Sequence, residues 1–526
     1  MTAVKQKLPI GIQGFAKLRE EGCYYVDKTP YAMRLIEEGS HYFLSRPRRF
    51  GKSLFLDTLK ELFEGHAELF KGLAAETQWH WTKKYPVIRI SFSDGVLQNR
   101  AELDRRIVDI LRVNRLDLGL TLPADVAETD VISSLADLLR QAHRSTGQRA
   151  VVLIDEYDKP ILDNITDTTA ATAMREGLKN LYSVLKDADA HLKFVFLTGV
   201  SKFSKVSLFS GLNNLQDITL TPEYSALCGY TDADVDTVFA PELPGLDREH
   251  IRNWYNGYNW LGTSVYNPFD LLLLFRNRKF KPYWFETGTP TFLIQLLAER
   301  QFFTPNLSQV VAHEKLLSTF DVDNIPVEAL MFQAGYLTID SVWEIPGQME
   351  LTLKYPNLEV QASLNDSLLQ HLSGGLAIPG PHISRLYRLL AARDFAGLKS
   401  LFHAFFASIP NDWYRKNQIS QFEGYYASIF YSYFAALGLD IRLEDTTNHG
   451  RIDMAVLFNN EVLLFEFKVV ELTPQGQALQ QIKDKGYADK YRARGEPIHL
   501  IGVEFSRDSR NVVGFEVKAL TPSSGQ

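Results

Sequence analysis

The chain has only two cysteines in 526 residues, Cys23 and Cys228, far apart in sequence. Neither sits in a Cys-x-x-Cys or Cys/His spacing, which excludes a disulfide scaffold, a zinc ribbon and a thioredoxin-like redox motif and suits a reducing cytosol. Long hydrophobic runs are missing as well. The strongest, residues 269–275, is far too short to cross a bilayer. No apolar run follows residues 1–7 to serve as a signal peptide, so the expectation is a soluble, cytoplasmic protein with no membrane partner. Positive charge is not in excess. A net charge of −7 excludes a basic coat for bulk nucleic-acid binding and leaves room only for a local basic groove. Internal repeats and low-complexity linkers are also absent. What is present, 45% hydrophobic and 12% aromatic residues, is the composition of folded globular units. The length predicts about three or four of them.

Near the C-terminus, Gly450-Arg451-Ile452-Asp453 opens one apolar strand, and Leu463-Leu464-Phe465-Glu466-Phe467-Lys468 forms the next after the Asn459-Asn460 turn signal. Charged groups on strands this apolar are costly unless used or paired. Two carboxylates can hold a divalent metal, and a neighbouring lysine can position or help deprotonate a water. Around this trio the pattern predicts a helix at 420–437 carrying Glu423, a strand at 439–443, a helix at 477–491 with Gln481 and Lys485 on one face, and strands at 499–505 and 511–518. His449 reads as a turn residue, because no second His or Cys stands at metal-binding spacing. Lys483, Lys485, Lys490, Arg492 and Arg494 are interrupted by Asp484 and Asp489, the signature of a solvated mixed-charge face.

Near the N-terminus, the short apolar strand 42–44 runs into Ser45-Arg46-Pro47-Arg48-Arg49-Phe50-Gly51-Lys52-Ser53 and a helix at 54–64. Strand, tight loop, Gly-Lys-Ser and helix is the P-loop arrangement. Backbone amides at the helix start can face phosphate, Lys52 adds a point charge and Ser53 can ligate Mg²⁺. The first glycine of the usual loop is missing, and Arg46 stands in its place. Arg46, Arg48 and Arg49 could make up for it by direct phosphate contact, or they could mark a different ligand. A second apolar strand, 149–154, ends in Asp155-Glu156-Tyr157-Asp158. Asp155 is placed to hold Mg²⁺ and Glu156 to orient or deprotonate the attacking water. A third, 194–197, ends in Thr198-Gly199-Val200-Ser201.

These residues carry a resemblance to two families. The helix–strand–strand–strand–helix–strand order with Gly-Arg-x-Asp, Glu-Phe-Lys and Gln-Ile-x-x-Lys-x-Tyr resembles the PD-(D/E)XK nuclease superfamily. Carried over residue by residue, the resemblance implies Asp453 and Glu466 as metal ligands, Lys468 at the nucleophile, Glu423 as the helical carboxylate completing the cluster, and Gln481, Lys485 and Tyr487 lining the site or contacting phosphate. Leu8-Pro9-Ile10-Gly11-Ile12, Tyr25-Val26-Asp27-Lys28-Thr29, the Ser45–Ser53 run and Trp254-Tyr255-Asn256-Gly257-Tyr258 are similar to an AAA-ATPase-like family. That likeness implies an ATP site with Thr198 or Ser201 as the sensor of the terminal phosphate. It makes residues 25–29 a candidate wall for the base. The competing reading is that Asp27 or Thr29 caps a helix at 30–38.

The expected class is α/β: an AAA-like parallel sheet at 1–225, a helical lid at 226–310, a small helical or winged-helix-like module at 311–375 and a nuclease-like domain at 380–526. Within it a last ATPase strand is expected at 218–220. Helix is expected over 231–256 with a break at 241–245, over 269–275, 291–300 and 327–336, and over 384–409, with a hairpin at 342–354 and a linker at 374–381. The aromatic stretch 254–260 reads as lid packing in preference to base stacking. Two functions follow. One is an ATP-controlled nuclease cutting DNA or RNA with Mg²⁺, or Mn²⁺ in its place. The other is a nucleotide switch that binds nucleic acid or protein without cutting. No arginine finger is identifiable, which leaves a lone ATPase and a homo-oligomer both open.

Overall fold

The computed structural model describes residues 5–121, 130–202, 208–209, 212, 214–287, 293–294, 297, 307, 309–314, 326–346, 348–372, 380–408, 423–447 and 450–520. Residues 291–300 and 374–381 lie mostly outside these, and His449 wholly so. The chain forms two compact units, residues 1–287 with 309–357, and residues 288–308 with 358–526.

The first unit is built on a parallel sheet of β1 (His41–Ser45), β2 (Val87–Ser91), β3 (Ala150–Asp155), β4 (Leu192–Gly199) and β5 (Gln216–Asp217), in the order β2-β3-β4-β1-β5. Every residue of β1 and β3 is buried, which is why these strands read as unbroken apolar runs rather than alternating ones. From β1 the chain passes through helix Lys52–Glu64 to the far edge strand β2. Strand order therefore changes direction beside β1, and the carboxyl ends of β1, β4 and β3 come together where ligands bind in such sheets. The last strand is Gln216–Asp217, not 218–220 as expected. There the ladder gives way to a side chain: the Ser45 amide donates to Thr219 Oγ1 at 3.1 Å.

Residues 231–256 form two helices, Asp232–Thr237 and Arg248–Tyr255, interrupted by a 3₁₀ turn at Ala240–Glu242 that contains Pro241. A capping box between Thr231 and Asp234 starts the first. With helix Pro268–Asn277 they share a core of Phe239, Ile251, Leu271 and Phe275, into which Tyr24 and Val26 from the N-terminal segment also pack. Helix Val327–Ala334 follows, then the hairpin β7 (Thr338–Ile345) and β8 (Gln348–Lys354). β6 (Val310–His313) lies on the other edge of β8.

The second unit carries a mixed sheet of β9 (Asp440–Thr447), β10 (Gly450–Phe458), β11 (Glu461–Val470), β12 (Ile498–Ser506) and β13 (Val512–Leu520), ordered β13-β12-β11-β10-β9. β11 and β12 are parallel and the other pairs antiparallel. One face is covered by helices Leu358–Leu372, Gly380–Ala391, Phe395–Ser408 and Glu423–Ala436, over an aromatic core that includes Phe402, Phe430, Phe465 and Phe505. The other face carries Leu464 and Leu500 under Leu479 and Ile482. The expected helix 477–491 is two, Gln477–Asp484 and Asp489–Arg492, because Gly486 between them takes φ 59°. The expected run 384–409 is likewise broken, at Arg393 with φ 54°. Helix Leu358–Leu372 belongs to this unit, so the chain divides at Asn357 and Leu358.

Candidate active sites

In the second unit, regular pairing of β10 with β11 ends at Met454 and Phe465. One step further in the same register Asp453 faces Glu466, and there a side chain takes over from the ladder: the Phe467 amide donates to Asp453 Oδ2 at 2.8 Å. Glu466 is 1% exposed, and a carboxylate so buried needs donors. Gln481 Nε2 donates to Glu466 Oε1, and Lys468 Nζ stands 3.8 Å from the same oxygen. Strand alternation puts Glu466 and Lys468 on the face covered by helix Gln477–Asp484. Burial, and then the Glu466 carboxylate, raise the phenol of Tyr487 above its ordinary value, with Gln481, Asp453 and Lys468 also acting on it. The Tyr487 hydroxyl lies 2.9 Å from where a Cβ on Gly450 would stand, and Gly450 takes φ 148°. That close approach accounts for the glycine of Gly-Arg-x-Asp.

Asp453, Glu466, Lys468, Gln481 and Tyr487 are thus brought together. Lys485 is exposed at the end of its helix. Glu423 opens a helix on the opposite face of the sheet, and its side chain lies outside the described residues. Part of the basic cluster is paired locally: Lys490 with Asp445, Arg492 with Asp489 and Arg494 with Glu496. The carboxylate that sequence reading missed is Glu504, buried on β12. Its only signal is a lone Glu inside an apolar strand.

In the first unit, the loop after β1 is held differently from a glycine-rich cradle. The Arg46 amide donates to Gly199 O and so prolongs the β1–β4 ladder, which removes the need for a glycine there. Positive φ falls instead at Arg49 (67°) and Gly51 (94°). The Arg46 side chain corrects the expectation of phosphate contact. It is fully buried, donates to the carbonyls of Ser45, Thr219 and Tyr224, and stacks 4.1 Å from the Trp260 ring centroid. Burial lowers its pKa to about 10. Arg49 lies 4.0 Å over the Phe269 ring, and Arg48 is exposed. Lys52 is buried, donates to the carbonyls of Arg46 and Pro47 at 2.9 Å each, and has its pKa lowered by burial against the opposing pull of Asp155. Ser53 stands in the first turn of helix Lys52–Glu64.

Asp155 ends β3 buried. Glu156 follows in a left-handed conformation (φ 51°), its carboxyl pushed above the ordinary value by burial and then by Asp155. Thr198 Oγ1 donates to Leu44 O at 3.0 Å across the sheet. Ser201 is bonded through both its amide and its hydroxyl to the buried Asp158 carboxylate. Asp158 therefore fastens the end of β4 to the end of β3. Asp27 Oδ1 accepts from the amide and hydroxyl of Thr29, at the start of helix Thr29–Glu38, and Asp27 Oδ2 accepts from the Ala74 amide. Both oxygens thus have helix-capping and bridging roles. Phe50 packs edge-on against Tyr258 and Trp260, so these aromatics of the 254–260 stretch serve packing.

Among the described residues, no helix is long and apolar enough to cross a membrane. Two family models match the chain: one described as a predicted AAA-ATPase over residues 9–209, and the PD-(D/E)XK nuclease superfamily over residues 421–515. A protein of Azotobacter chroococcum mcd 1, named "Uncharacterized protein in vnfD 5'region", is 64% identical over 517 residues, covering 98% of this chain and 99% of that protein. The chain belongs with that protein to one family, in which an AAA-ATPase-like domain precedes a domain of the PD-(D/E)XK nuclease superfamily.

Proposed function

We propose that the protein is a nucleotide-controlled, metal-dependent nuclease. On this reading the first unit binds and hydrolyses ATP with Mg²⁺, and the second cuts phosphodiester bonds of DNA or RNA. The observation that carries it is the gathering of Asp453, Glu466 and Lys468 on the neighbouring inner strands β10 and β11, with Gln481 bonded to Glu466. The donor set is hard oxygen, which fits Mg²⁺ or Mn²⁺ better than a soft metal. Asp453 and Glu466 would hold the ion, and its chemistry would be to acidify a water and stabilise charge on the phosphate. Gln481 fixes which Glu466 oxygen is turned away from the helix. Lys468 supplies a cation beside the reacting region, and Tyr487 closes one side of it.

In the first unit, Lys52 and Ser53 begin a thirteen-residue helix whose free amides favour an anion. Lys52 now satisfies two loop carbonyls, and phosphate would exchange those contacts for stronger charge-assisted ones. Asp155 and Ser53 would hold the nucleotide's Mg²⁺, Glu156 would orient the attacking water, and Thr198 would sense the terminal phosphate from β4. Arg48 and Arg49 are the basic side chains left for phosphate once Arg46 is committed to the interior.

The test is cleavage of labelled single- and double-stranded DNA and RNA with Mg²⁺ or Mn²⁺, with and without ATP. Glu466→Ala is expected to lower cleavage by about 100-fold or more, since it removes a ligand of the reacting centre. ATP bound by a wild type that cuts none of these substrates would favour the non-cutting switch.

A further inference from the structure

The helix that carries Gln481 has no cap of its own. Helix Gln477–Asp484 begins after Gly476, whose φ of 69° and lack of a side chain leave the first amides without a local acceptor. The acceptor comes from another element. Glu504, 2% exposed on β12, takes the amides of Gln475 (2.5 Å) and Gly476 (3.1 Å) on Oε2, and those of Gln477 (2.6 Å) and Ala478 (3.3 Å) on Oε1. An ionised carboxylate offers about four lone-pair directions, and four N–H groups occupy them.

Register explains why this matters to the site. β11 and β12 pair in parallel with Glu466 beside Gly502 and Lys468 beside Glu504. Gly502 thus lies next to Glu466, and a Cβ there would stand 2.3 Å from Leu479 N. The missing side chain lets the helix backbone sit directly on β12 at Leu479, two residues before Gln481. Glu504 then clamps the helix start at the neighbouring position. By sequence and register Glu504 has the look of a third metal-binding acid beside Lys468, but its oxygens are already committed to the helix.

We infer that Glu504 is a positioning residue: it anchors helix Gln477–Asp484 on β12 so that Gln481 holds the Glu466 carboxylate in one orientation. This rests on the nuclease reading for its catalytic consequence, but the anchoring can be measured separately. In the full chain, Glu504→Gln, Glu504→Asp, Gln481→Ala and the double variant Glu504→Gln/Gln481→Ala are compared by amide hydrogen exchange and by cleavage kinetics with Mg²⁺. Glu504→Gln is expected to speed exchange over residues 475–485 by about tenfold or more while β10 and β11 keep their protection. It should also lower kcat by about 10- to 100-fold at little-changed KM. Glu504→Asp, which keeps a carboxylate, should fall between it and wild type. Gln481→Ala should lower kcat to a similar degree with exchange at 475–485 unchanged, and the double variant should be no slower than Glu504→Gln alone.

Unchanged exchange at 475–485 in Glu504→Gln overturns the anchoring, whether or not the protein cuts. Raised exchange with wild-type kcat, or losses that multiply in the double variant, overturns the link to Glu466. If Glu504→Gln loses protection throughout the unit, Glu504→Asp decides: a local rise with a matching fall in kcat supports the inference, and a global rise overturns it. A wild type that cuts nothing, with the local exchange response intact, sinks the nuclease reading and leaves the anchoring standing.

Discussion

Arg46 and Lys52 are both buried cations in one loop, and their partners separate their roles. Arg46 has three backbone carbonyls and an aromatic face, all from elements around β1. Replacing it with Met leaves those carbonyls without their donor, and the expected cost is about 2–4 kcal/mol of unfolding free energy, read by denaturant unfolding. Lys52 bonds only to carbonyls of its own loop. Lys52→Ala removes a desolvated charge but also the donor to two loop carbonyls, so the two effects oppose and the midpoint of unfolding should stay near that of wild type. Nucleotide affinity should fall by about tenfold or more, measured by titration with a fluorescent ATP analogue. A Lys52→Ala protein that binds ATP like wild type would remove the loop from the nucleotide site. From sequence the two residues look alike, as basic side chains in a phosphate loop. Nothing local tells which guanidinium or ammonium finds carbonyls supplied by Thr219 and Tyr224, more than 170 residues away.

At the scale of elements, short helices around the sheet of the second unit are held by single carboxylates. Helix Asp489–Arg492 is tied to β9 through Asp445, which accepts from Lys490 and from the Tyr491 hydroxyl at 2.6 Å. Burial alone would raise the Asp445 pKa, but the bonds from Lys490 and Tyr491 outweigh it and the carboxyl is held below its ordinary value. A depressed carboxyl stabilises the fold at pH above its unfolded pKa and loses that contribution as pH falls through the folded pKa. Asp445→Asn should therefore cost about 1 kcal/mol at neutral pH, with the difference from wild type shrinking as pH falls below the ordinary aspartate value and on through the lowered folded one. Unfolding curves of the two proteins across pH check this, and a gap independent of pH would rule the carboxylate out as its source. The pattern of apolar residues located the strands well: β10, β11 and β12 lie where the sequence puts them, with Asp453, Glu466 and Lys468 on them. It overran the helices at Gly486 and Arg393, because a single left-handed residue ends a helix without disturbing the apolar periodicity on either side.

For the whole molecule, the proposed nucleotide control requires a route from the loop after β1 to the second unit. The module 326–357 of the first unit touches the loop after β1 and the end of β4 at two points directly, and at a third through Trp284. Gln333 Oε1 accepts from the Lys202 amide at 2.9 Å, just past β4. Gly335 lies against Pro47 of the phosphate loop. Trp284 Nε1 donates to Arg48 O at 3.1 Å, and its ring packs on Tyr336 at 5.4 Å. The module then ends at Asn357, and the chain returns to the second unit with helix Leu358–Leu372. A loop that closes on phosphate would pull on this module through Arg48 and Pro47. Trp284→Phe keeps an aromatic ring and removes the donor. It should reduce the ATP dependence of cleavage by about threefold or more, while cleavage without ATP stays near wild type. Equal ATP dependence in the two proteins would place the coupling elsewhere.

The sequence by itself determined the elements and which charged residues stand on them. Unbroken apolar runs made buried strands, a Gly-Lys-Ser loop and an acidic stretch stood at their ends, and Asp453, Glu466 and Lys468 stood out as charges on apolar strands. Such patterns are legible because burial and strand alternation act over a few residues. The tertiary structure decided which polar groups meet. Arg46 turned inward, Ser201 went to Asp158, and Glu504 became the cap of a helix that starts after a glycine. A buried hydrogen bond forms with whatever donor the packing brings within about 3 Å, and for Glu504 that donor lies some 26–29 residues away on another element.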